Sequence, residues 1–126
     1  MNKKQASKSF IKKSVENFEL YEFLSSEDKF IEWQAVSIFY SALCYVKSYL
    51  FSKAGIPDTA INSHREIKYW LTTEREAKNL MIYERYYNFL YSYSRDARYK
   101  CNKINQKVID KMLEKYAKIK ELLHTS

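Results

Sequence analysis

The chain has 126 residues, with 22 Lys and Arg against 15 Asp and Glu for a formal charge of +7. Aromatic residues are 17% of it, including 12 Tyr, which excludes a disordered polar tail. One Gly and one Pro are too few for the turns of a β-sandwich or barrel, and too few for a Rossmann or P-loop phosphate loop.

An all-α single domain remains, and its helices can be taken in order. Residues 1–8 are polar and basic and are expected to be a flexible N-terminal tail, ahead of one helical bundle domain over residues 9–126. From Ser9 to Leu24, the positions of Phe10, Ile11, Val15, Phe18 and Tyr21 predict a first amphipathic helix. Ser25 and Asp28 have the spacing of a capping box and would open a second helix from about Asp28 to Lys53. That helix is apolar on most sides, which marks it as central, and Ala35, Ser41 and Ala42 would let a neighbour approach closely. Its apolar run from Trp33 to Phe51 is broken by Gln34, Ser37, Ser41, Lys47 and Ser48, so it reads as a buried helix rather than a membrane span.

Gly55 and Pro57 end the second helix. Ser63 and Glu66 form another box and predict a short helix to about Leu71. Thr73 and Glu76 predict a third start, with a long helix from about Glu74 to Tyr99. The last helix is expected over Lys103 to Leu123, with a stripe of Ile104, Val108, Met112, Tyr116, Ile119 and Leu123. The sum is four long helices and a short one, an up-and-down bundle.

Cys44 and Cys101 are far apart, with no CxxC pair, and His64 and His124 are isolated. No metal site and no cofactor are expected on that spacing. The basic start, Met1 to Lys13, has no apolar core behind it and is not read as a secretory leader. The expected setting is cytoplasmic, with no membrane contact and reduced thiols.

Three features can carry chemistry. Lysines run along the last helix at Lys103, Lys107, Lys111, Lys115 and Lys118, a stripe that attracts phosphate or is simply a solvated face. His64 beside Arg65 offers a proton-transfer group next to an anion-binding one, or merely the exposed first turn of a capped helix. Arg95 and Arg98 share a helix face and have the forks that grip phosphate, unless they are only solvated. The tyrosines Tyr83, Tyr87, Tyr91 and Tyr99 either stack on bases or fill the core.

Taken together, three segments resemble the HEPN superfamily, the higher eukaryote and prokaryote nucleotide-binding domains. Trp33 to Leu43 resembles its central helix. Ile56-Pro57 followed by Ser63-His64-Arg65-Glu66-Ile67 is similar to the loop and His that open its short middle helix. Leu90 to Tyr99, ending Ala97-Arg98-Tyr99, resembles the close of its long helix. The resemblance covers roughly residues 30 to 100 and implies a HEPN-like bundle, often a homodimer, of the kind found in toxin–antitoxin and anti-phage defence systems.

Many members of that family are metal-independent ribonucleases whose Arg is followed after four to six residues by His. Carried to this chain, the resemblance implies RNA or nucleotide phosphate as ligand, with His64, Arg95 and Arg98 as catalytic candidates. Arg65, Tyr99, Lys100, Asn102 and Lys103 would be contacts to nucleic acid. The chain departs from the motif: Asn102 follows Arg95, and Asn105 follows Arg98, where His would stand. Asn cannot transfer protons, so either His64 substitutes from another helix or the chain is a non-catalytic helical module for dimerisation or protein interaction. Some members pair with a nucleotidyltransferase antitoxin, which makes such a protein a candidate partner.

Overall fold

A computed structural model describes residues 3–99 and 104–123. Among them the chain is an all-α bundle without strands. Helix α1 spans Lys3–Ser26, α2 Ile31–Ser52, α3 His64–Thr73, α4 Arg75–Asn79, α5 Asn88–Tyr99 and α6 Gln106–Leu122. A 3₁₀ turn at Asp58–Ala60 precedes α3, and a wide π-helical turn at Tyr83–Tyr87 runs directly into α5.

Helices α1 and α2 form an antiparallel hairpin whose faces meet through hydroxyls. Ser14 Oγ donates to the Ser41 carbonyl at 2.8 Å, and Ser41 Oγ donates to the Ser14 carbonyl at 2.6 Å. Further out, the Ser7 and Ser48 hydroxyls meet at 2.9 Å. The predicted small residue Ser41 thus does permit close approach. The inward stripe of α1 is Phe10, Ser14, Phe18 and Tyr21. Val15, placed in that stripe from the sequence, is half exposed because Ser14 takes the contact. Helix α1 also includes residues 3–8, the segment expected to form a tail.

The hairpin turn departs from its predicted capping box. Helix α1 runs on through Ser26, whose hydroxyl bonds back to the Phe23 carbonyl. The residue that caps α2 is Phe30, held at φ 54° with no side-chain cap, and Asp28 is also left-handed at φ 49°. Each such conformation costs about 1–2 kcal/mol in a residue with a Cβ. At the other end of α2, Gly55 takes φ 73°, which only glycine adopts freely, and the Ile56 amide bonds to the Leu50 carbonyl.

The core is built on α2, as its all-round apolarity required. Ala35, Ile38, Ala42, Val46 and Leu50 are fully buried, against Leu90 of α5 and Ile109, Met112 and Ile119 of α6. Ser41 meets Tyr116, and the Tyr45 hydroxyl bonds to the Lys120 carbonyl, so α6 runs parallel to α2. An up-and-down order of the four long helices demands that direction.

Ser63 caps α3 as predicted: its hydroxyl accepts from the Glu66 amide and donates to the Glu66 carboxylate. The next cap is Glu74 rather than Thr73, with its carboxylate on the Glu76 and Ala77 amides. The single helix expected over residues 74–99 is interrupted after α4, where Met81 turns left-handed at φ 54°. Asn105 caps α6 by accepting from the Val108 amide at 2.9 Å, so that helix begins later than expected.

Candidate functional site

One pocket gathers residues from the central helix, the short helix and α5. Its volume is about 230 Å³, and its walls include Tyr40 and Lys47 of α2, Asn62, His64 of α3, and Tyr91 and Arg98 of α5. His64 and Arg98, two of the three catalytic candidates taken from the sequence, therefore line the same cavity.

The Ser63 box places His64 at the first position of α3. Its imidazole stacks on Tyr91 with centroids 3.5 Å apart and planes 8° from parallel. Tyr87 lies 5.9 Å away at 14°, and Tyr83 flanks at 6.1 Å. The π-helical turn adds a residue to the helical repeat and so sets the face that α5 presents to His64. Nδ1 of His64 is buried without a hydrogen-bond partner. Burial first, then the charges of Lys68 and Arg95, hold His64 below the ordinary value of 6.5. The ring is therefore neutral at pH 7 and able to accept a proton.

Arg98 is positioned by aromatic and polar contacts together. Nη1 donates to the Tyr40 hydroxyl at 2.9 Å, and Nε donates to the Ser94 carbonyl at 3.4 Å. The guanidinium lies over the Tyr40 ring at 5.6 Å and the Tyr99 ring at 5.2 Å. These bonds use two of the five N–H donors of an arginine, which leaves a fork for an anion. Lys47 of α2 adds a second cation to the lining of the cavity.

The other sequence candidates fall differently. Arg95 is exposed and does not line the pocket, although its field reaches His64. Arg65 is exposed beside His64 and outside the lining. Tyr99 is 74% exposed and supports Arg98 from outside the cavity. Lys100, Asn102 and Lys103 lie outside the described residues, as do Cys101 and His124. Sequence reasoning passed over Lys47 and Asn62 as site residues. Lys47 carried a signal, being the one cation inside an otherwise apolar run.

The lysines of α6 make a mixed face. Lys107, Lys111, Lys115 and Lys118 share a flank with Asp110, Glu114 and Glu121. Lys118 pairs with Glu121 at 3.4 Å, and Lys115 lies over the rings of Tyr86 and Phe89. Among the described residues no group of three or more His, Cys, Asp and Glu is placed to hold a metal ion, and no helix is long and apolar enough to cross a membrane. No protein-family model, curated protein or solved structure matches the chain.

Proposed function

We propose that the chain is a HEPN-like bundle that binds RNA or a nucleotide phosphate in the pocket between α2, α3 and α5. In this reading it is a cytoplasmic component of a prokaryotic defence or toxin–antitoxin system, working as a homodimer or beside a partner such as a nucleotidyltransferase antitoxin. The observation that carries it is the meeting of His64 and Arg98 in one cavity with Lys47 and an aromatic wall. Two cations and a neutral imidazole lining one cavity suit a phosphate diester.

The chemistry these groups support is RNA cleavage by the neighbouring 2′-hydroxyl. His64, kept neutral at pH 7, takes the 2′-hydroxyl proton as the oxygen attacks phosphorus. Arg98 and Lys47 stabilise the charge that builds on the phosphoryl oxygens. The bond to the 5′-oxygen breaks as that oxygen takes a proton from water, the product carries a 2′,3′-cyclic phosphate, and the His64 imidazolium returns its proton to solvent. His64 here takes the part that the family's Arg-to-His spacing would assign to a residue after Arg98.

A second reading, a binding module without catalysis, draws on the engagement of both groups. Arg98 is already bonded to Tyr40 and Ser94, and His64 is stacked on Tyr91 with Nδ1 buried. Single-stranded RNA incubated with the protein in EDTA separates the two. The first reading expects cyclic-phosphate products, lowered about 10²-fold or more in His64→Ala and in Arg98→Ala. Binding without cleavage selects the module, and neither binding nor cleavage overturns both.

A further inference from the structure

The tip of the α1–α2 hairpin holds a surface unconnected with the pocket. Leu20, Phe23, Phe30 and Trp33 are 47%, 62%, 62% and 60% exposed there. The Ser7–Ser48 and Ser14–Ser41 pairs fix one antiparallel register. Continued to the tip, that register sets Phe23 level with Glu32 and beside Trp33. Phe30 is displayed by a left-handed backbone that a bulky side chain adopts at a cost. Large apolar groups gathered at one end, rather than scattered, mark a contact surface.

Charge identifies what the surface fits. Between Ser14 and Val46 stand Glu16, Glu19, Glu22, Glu27, Asp28 and Glu32, all exposed, against the single cation Lys29. The segment carries 1 − 6 = −5 within a chain of +7. Helix α6 starts near the same end, but Lys107 and Lys111 lie on its side opposite the buried stripe of Ile109, Met112 and Tyr116. Anionic lipid and nucleic acid are repelled by such a face. A symmetric contact with a second copy would set carboxylates against carboxylates.

We propose that the hairpin tip docks a basic amphipathic helix of a second protein. The apolar side of that helix covers Phe23, Phe30 and Trp33, and its Lys or Arg flanks meet Glu19, Glu22 and Glu32.

The probe is a synthetic Leu–Lys amphipathic helix of about 18 residues, or five turns. It is added to the full chain carrying Trp70→Phe, in which Trp33 is the remaining tryptophan. A saturable blue shift of Trp33 emission is expected. Phe23→Ser with Phe30→Ser should weaken it about tenfold or more. Glu19→Gln with Glu22→Gln, or salt at about 0.5 M, should weaken it as well. Both pairs of substitutions are at exposed positions, and circular dichroism checks that helicity is kept. No shift, an equal shift from a Leu–Glu helix or from anionic phosphatidylglycerol vesicles, or full affinity in both double variants overturns the proposal.

Discussion

Replacing Ser41 with Ala removes the oxygen through which α1, α2 and α6 are joined. A hydroxyl has one proton to give. The Ser41 proton goes to the Ser14 carbonyl at 2.6 Å, so the Tyr116 hydroxyl, 2.8 Å away, donates to Ser41 Oγ. Ser14, Ser41 and Tyr116 are all buried. Loss of Oγ therefore deletes a bond worth about 1 kcal/mol and leaves a buried phenol donor unpaired, which costs about 1–3 kcal/mol more. For 126 residues the entropy of unfolding is about 0.26 kcal/mol/K, so a total of about 2–4 kcal/mol lowers Tm by about 8–15 °C. Tyr116→Phe keeps the Ser41–Ser14 bond and should cost only about 1 kcal/mol, or about 4 °C. The double variant has no orphaned donor, so it should cost less than the two single changes together. Urea and thermal unfolding followed by circular dichroism read all three. A cost below about 0.5 kcal/mol for Ser41→Ala, or strict additivity, refutes the reasoning.

Other consequences are as direct. Burial works to raise the Glu74 carboxyl, but the Tyr49 hydroxyl and the Ala77 and Glu76 amides outweigh it and hold Glu74 below its ordinary 4.5. The folded value is depressed, so the stabilisation is full above 4.5 and is lost as pH falls through the folded value. Glu74→Gln should flatten the acid limb of Tm against pH, and an unchanged limb would contradict the assignment. His64 should titrate by NMR below 6.5, and Arg95→Ala should move it upward by removing one repelling cation. Because the unfolded chain binds that proton more readily, this group makes stability rise with pH through the ordinary histidine range. A midpoint at or above 6.5 would speak against the burial and charge described. Gly55→Ala forces a Cβ into φ 73° and should cost about 1–2 kcal/mol, read as a Tm lower by about 4–8 °C, whereas an unchanged melt would deny the strain.

Periodicity located the core helices because burial and period agree there: α2, read as apolar on most sides, buries Ile38, Val46 and Leu50, and Met112, Tyr116 and Ile119 of α6 are where the pattern put them. The Ser63–Glu66 box was legible because both partners are local. The break at Met81 was not, since a left-handed residue with no Gly or Pro leaves no mark in the sequence. Ser25 and Asp28 had the right spacing for a cap, yet α1 runs on through Ser25 to Ser26 and Asp28 turns left-handed beyond it. At the site, His64 and Arg98 were visible as residue types. Their meeting was not, because it depends on Tyr40, far from Arg98 in sequence, and on the face that the π-helical turn gives to α5. Asn105, weighed against the family motif as the residue standing in place of a His, is engaged as the cap of α6.

Equilibrium binding of a short labelled single-stranded RNA tests the pocket most directly, because it separates the cavity cations from the lysines of α6. Fluorescence anisotropy at fixed low salt would compare the wild type with Arg98→Ala, Lys47→Ala and Lys111→Ala. The pocket account expects about tenfold or greater weakening in the first two and little change in Lys111→Ala, which lies on an exposed mixed face. Affinity that survives loss of Arg98 and Lys47 but falls with Lys111 would place the RNA on α6 and contradict the account.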